Sequence, residues 1–175
     1  LEPYQGPKPN RDGPRATADA IALLRQTDDP PAELMVQALI EMGDWNVVLQ
    51  KHAAALPYYT EACEIRASSP PGGPDALASP RLVYYRAPMA ARRSAMATGD
   101  SIVVERARFH LTVNADGTTG DIILEQSATS ARRSELLRRS VELARYSPRF
   151  ESCRPVATPG VVVEEYWEAL ATEPE

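Results

Sequence analysis

Cys63, Cys153, His52 and His110 are all the thiols and imidazoles in the chain. Such residues offer metal binding, nucleophilic catalysis or a disulfide. A structural zinc site takes about four ligands at short spacings, and these residues stand too far apart for that pattern. His110 lies between Arg108 and Thr112 on an alternating stretch, with no nucleophile or carboxylate spaced to orient it. It reads as a solvated histidine. His52 falls on an apolar helical face and reads as a hydrogen-bonded core residue. On these residues alone, Cys63 and Cys153 are either a bridge or two unrelated free thiols.

Other short stretches lose their chemistry on inspection. "NADG" carries Asn114 and Asp116 but lacks the further acidic ligands of a calcium loop. "GTTG" has neither the lysine nor the strand–loop–helix setting of a phosphate-binding loop. The arginines between 132 and 149 suggest an anion surface. Glu135 with Arg139, and Arg138 with Glu142, are however spaced to pair along a helix, and the net charge is −5. That balance argues against a nucleic-acid binder, which carries a basic footprint. The expectation is no catalytic set, no metal and no cofactor: a binding protein rather than an enzyme.

The elements that would carry binding lie in the second half. In 101–113 the apolar period is two: Val103, Ala107, Phe109, Leu111 and Val113 point one way, and Val104, Arg106, Arg108, His110 and Thr112 the other. "NADG" turns the chain, Gly117 supplying a positive φ, and "TGDIILEQS" pairs back. Ser130 caps an amphipathic helix that Pro148 stops, and "GVVVEEYWEAL" is a last strand.

The first half reads as helical. A helix over 17–26, capped by Thr17 or Asp19, precedes one that starts at Asp29–Pro30 and ends at Gly43. A third covers 46–66, split by Pro57 near Leu56, with Val48, Leu49, His52, Ala53, Leu56, Tyr59, Ala62 and Cys63 on its buried side. Of the 16 prolines, four lie in the first 15 residues and four in "SSPPGGPDALASP". The organisation is therefore an extended Pro-rich arm (1–15), a helical region (16–66), a linker (67–80) and an α+β domain (81–172). The fold class is α+β: a helical hairpin region, then a small antiparallel sheet in strand-strand-helix-strand order with the helix on one face. No apolar run approaches the roughly 18–20 residues of a membrane span.

Two stretches carry resemblances. "FHLTVNADGTTGDIILEQS", a helix ending "ARYSPRF" and "CRPVATPGVVVEEYW" together resemble the TonB C-terminal domain family over about residues 80–170. Val113, Asp116, Gly117, Ala144, Arg145, Tyr146, Pro148, Pro155 and Val156 match that pattern. Ser152–Cys153 departs from it, standing where the family turn usually has a glycine. "MGDW" and "ALPYYTEACEI" resemble a tetratricopeptide hairpin, without a second recognisable repeat.

The TonB resemblance implies a periplasmic location and a protein partner in the cell envelope, such as the outer-membrane transporters that family members energise. An oxidising compartment favours a Cys63–Cys153 bridge. If the last strand is a sheet edge, its backbone can accept an added strand. Val161, Val163, Glu165, Tyr166 and Trp167 are then the partner-binding residues, unless those aromatics face the core. Two other readings stand beside this one: a small-molecule binder or enzyme using the seam between the halves, and a structural module of an envelope assembly.

Overall fold

The computed structural model describes residues 12–69, 75–86, 102–127 and 129–170, the side chains of 102–105 and 167–170 excepted. The chain is an α+β fold. Three helices come first: α1 (Asp12–Arg25), α2 (Ala32–Val48) and α3 (His52–Ser68). After them come β1 (Arg81–Tyr84), β2 (Ile102–Val113), β3 (Thr119–Ser127), α4 (Ala131–Leu143), β4 (Arg145–Ser147), β5 (Arg149–Glu151), β6 (Arg154–Val156) and β7 (Thr158–Leu170).

The helical boundaries correct several expectations. The arm predicted over 1–15 lies outside the described residues up to 11, and from Asp12 the chain is already helical. Pro14 is tolerated in that first turn because its missing N–H has no helical partner to lose. Thr17 is therefore inside α1, not a cap, and its hydroxyl donates to the Gly13 carbonyl and to Glu41. In α2 the N-cap is Pro31, two residues beyond Asp29, and it makes no side-chain cap.

Gly43 does not end α2. A Cβ there would overlap the ring of Tyr59, so the glycine lets α3 approach closely. The helix stops at Val48 instead, where Gln50 takes φ 60°. The Gln50 N–H bonds the Val47 carbonyl and the Lys51 N–H the Asn46 carbonyl, the paired closure usually built on glycine. α3 then starts afresh at His52 and runs through Pro57 without splitting. Its buried residues are Ala55, Tyr59 and Ala62, while Ala53 is exposed, because the break between the helices resets the phase.

In the second half, β2 is central in a three-stranded antiparallel sheet of order β3-β2-β7. β1 pairs with β4, and β5 with β6, as separate two-stranded pieces. α4 is capped by the Ser130 hydroxyl, which accepts from the Arg133 N–H at 3.4 Å. It ends at Leu143, before "RYS", which forms β4 rather than the last helical turn. Leu137 and Val141 of α4 pack on Ala107, Phe109, Leu111 and Val113 of β2, forming one core cluster. The hairpin turn closes with Gly117 at φ 81°. The Gly117 carbonyl accepts the Tyr146 N–H at 2.9 Å, which docks the turn on β4.

A second cluster joins the helices to the later segments of the chain. Leu77, Val83 and Phe150 are buried with Leu39, Val47, Tyr59 and their neighbours. Residues 67–80 are thus not a free spacer throughout. Residues 67 and 68 belong to α3, and Leu77, 2% exposed, offers its carbonyl to the Phe150 N–H at 2.9 Å. Residues 70–74 lie outside the described part.

Replacing Gly43 by alanine forces a methyl against the immobile Tyr59 ring. We expect Gly43→Ala to cost about 1–3 kcal/mol in urea unfolding, with the m-value unchanged.

Candidate functional site

β7 owes its place to parity. Its inward residues Val161 and Val163 pack against the core cluster of β2 and α4. The alternate residues Val162 (48% exposed), Glu164 and Tyr166 (53% exposed) face solvent on the other side of the sheet. The strand pairs with β2 in unbroken register from Ile102↔Leu170 to Leu111↔Val161. β2 is its only sheet neighbour, so its other edge carries no strand among the described residues.

The sequence-derived set therefore does not form one surface. Val161, Val163 and Glu165 look inward, where the two valines serve the core. Tyr166 looks outward, and its hydroxyl donates to Glu164 at 3.0 Å. Trp167 lies opposite Glu105 in the register, and its side chain falls outside the described residues. What β7 presents as a unit is its backbone edge.

Glu165 lies on the inward side of β7, beside two buried tyrosines. Tyr85, just after β1, donates its hydroxyl to Glu165 at 2.5 Å. Burial raises the Glu165 carboxyl above its ordinary value, and the bond from Tyr85 only partly opposes that. Tyr85 is pushed up by burial and by the carboxylate, and Tyr146 beside it is pushed up to about 12 for the same reasons. Tyr85 lies outside the alternating stretches, so periodicity gave no sign of this pair.

The open face of the sheet holds an ion-pair row. His110 Nε2 lies 2.8 Å from Glu125, and Arg108 lies 2.7 Å from Glu164 and 3.8 Å from Glu125. Sequence spacing hid the carboxylate partner of His110 because the hairpin register brings Glu125 across. The row is solvated, the His110 and Glu125 side chains being 40% and 47% exposed, and it works as a surface network. His52 differs from expectation. Burial lowers its pKa, and its Nδ1 has no hydrogen-bond partner among the described residues.

Side chains from both halves meet at the seam. The Tyr59 ring meets Phe150 edge-on at 6.3 Å. The Tyr59 hydroxyl donates to Asp44 at 2.7 Å, and Arg81 donates to both oxygens of the same carboxylate at 2.7 Å. Burial raises the Asp44 carboxyl in spite of Arg81, and pushes Tyr59 up as well.

Nearby, Cys63 of α3 is joined to Cys153 in a disulfide spanning 90 residues, with Cα atoms 5.3 Å apart. Ser152 and Cys153 both take positive φ, 48° and 56°, at the tip of the β5–β6 hairpin. Each such residue costs roughly 1–2 kcal/mol. The bridge constrains the unfolded chain by roughly 4–5 kcal/mol on the loop-entropy estimate, which outweighs the turn. A cleft of about 360 Å³ lies elsewhere, between β3 and the start of α4, lined by Phe109, Leu124, Ser127, Thr129 and Arg138 among others. No group of three or more His, Cys, Asp or Glu residues is placed to hold a metal ion among the described residues.

Because the folded Glu165 carboxyl has a raised pKa, its protonated form is favoured by folding. Its contribution is greatest below the ordinary value of 4.5 and is lost as pH rises through the folded pKa. Glu165→Gln keeps a hydrogen-bond acceptor without the charge. We expect it to gain stability relative to the parent as pH is raised from acid to neutral, measured by urea midpoints across that range.

No protein-family model matches the chain, and no curated protein does either.

Proposed function

We propose that the chain is a periplasmic protein–protein interaction module, akin to the C-terminal domain of TonB-type energy transducers. In this reading the β7 edge accepts an extended segment of an envelope protein, such as an outer-membrane transporter, as a fourth strand. The observation that carries the reading is the contrast between the two edges. β3 is interrupted by two register shifts and by Asp121 at φ 47°, devices that blunt an edge. From Val161 to Leu170 β7 has no proline, no lysine and an unshifted register with β2. A long regular edge left without such protection is suited to strand addition, in which main-chain hydrogen bonds give affinity and exposed side chains give selectivity.

The charge on the strand narrows the partner. Glu164, Glu165 and Glu168 stand within that stretch with no compensating cation on it. Antiparallel pairing of two copies of β7 would bring like charges together, which is unfavourable. A different polypeptide fits better than a second copy. The Cys63–Cys153 disulfide accords with an oxidising compartment. Among the described residues no helix is long and apolar enough to cross a membrane.

A small-molecule reading survives in altered form. At the seam Tyr59 meets Phe150, and a separate cleft lies between β3 and α4. One titration separates the two. With periplasmic segments of outer-membrane transporters added, the amide signals of 160–168 are expected to shift most. Tyr166→Ala, at an exposed position, is expected to weaken binding roughly 30-fold, the size of a binding hot spot, without altering stability. Shifts confined to residues around Leu124 and Thr129, or none with any envelope segment tried, would remove the strand-addition reading.

A further inference from the structure

The β5–β6 hairpin stands apart from the other sheet pieces. Each strand has three residues, and the pair joins no other strand among the described residues. Phe150 anchors it in the helical core at 8% exposure, with its N–H on the Leu77 carbonyl. Arg149 donates to Thr158, the first residue of β7, at 3.3 Å. α3 also touches β6, and the bond from Cys153 to Cys63 is the covalent tie between them. The tip it holds is a two-residue turn in which both residues are left-handed and neither is glycine. Such hairpin turns normally use Asn-Gly or glycine pairs, because side chains resist that conformation.

We propose that the Cys63–Cys153 bond is a reducible clasp: its cleavage by a dithiol lets the Ser152–Cys153 turn leave the left-handed region and releases Phe150 from the helical core. Both cysteines are half-buried, Cys63 packing against the helical core and Cys153 lying at the hairpin tip, and exchange proceeds by attack of a thiolate on one of the two sulfurs. One thiolate of the reductant attacks a sulfur of the bridge, breaking the S–S bond and forming a mixed disulfide, with the other cysteine leaving as thiolate. The second thiol of the reductant then displaces the protein sulfur and closes its own disulfide. Two electrons pass from dithiol to bridge, and after protonation the protein holds two thiols. With the bond gone, nothing covalent offsets the left-handed turn. The hairpin leads through Ala157 directly into β7, so the released segment abuts that strand.

The test uses the full chain, oxidised and reduced with dithiothreitol. On reduction, hydrogen-exchange protection at the Phe150 amide is expected to fall while α2 amides keep theirs. Ser152→Gly relieves the turn only in the bridged form. It is therefore expected to make the bond roughly tenfold harder to reduce at equilibrium with dithiothreitol, the effect of removing one left-handed side chain. Unchanged protection at Phe150 overturns the proposal, as does an unchanged reduction equilibrium in Ser152→Gly. Loss of α2 protection together with Phe150 overturns it too, because the bond would then be a staple of the whole fold.

Discussion

The structure depends on the fixed position of one side chain, Tyr59. It is fully buried, closes against Gly43 of α2, meets Phe150 edge-on and places its hydroxyl on Asp44. Both oxygens of Asp44 in turn accept from one Arg81 nitrogen at the start of β1. A buried carboxylate is costly unless paired and hydrogen-bonded, and here the two partners come from different parts of the chain. Asp44 therefore ties the helices to the start of β1: neither side satisfies it alone. That is why the apparent boundary near residue 80 is a packed joint and not a hinge.

The parts legible from sequence were those fixed by local chemistry. The alternation in 107–113, the Gly117 turn and the Ser130 cap each depend on neighbours a few residues away, and each lies where periodicity placed it. The misread parts depended on distant neighbours. Gly43 resembled a helix end but makes room for Tyr59 of the next helix, while the real end at Gln50 lacks the expected glycine. Pro57 resembled a break, yet the packing of Ala55, Tyr59 and Ala62 carries the helix through it. The Tyr85–Glu165 and His110–Glu125 pairs are set by strand register, which no spacing rule reveals. At Ser152–Cys153, the missing glycine marked the turn where the backbone is least at ease.

The sheet is lopsided in its chemistry. One face is closed by α4 and the strand β1, and the other carries a row of solvated ion pairs around Arg108. Its two borders differ as well, β3 bulged along its length and β7 regular from Val161 onward. Such asymmetry suits a surface that meets another chain at a border rather than over a face. The polar groups that do lie within, Tyr85 with Glu165 and Tyr59 with Asp44, are spent on holding elements together.

The disulfide also draws a covalent ring through the molecule. Between Cys63 and Cys153 it encloses β1, the β2–β3 hairpin and α4, while α1, α2 and β7 lie outside it. Tension applied between the helices and the far end of β7 would travel across the sulfur link and bypass everything within the ring. The enclosed elements would bear no load along the main chain, and it is β6 and β7 that would be peeled from their neighbours β5 and β2.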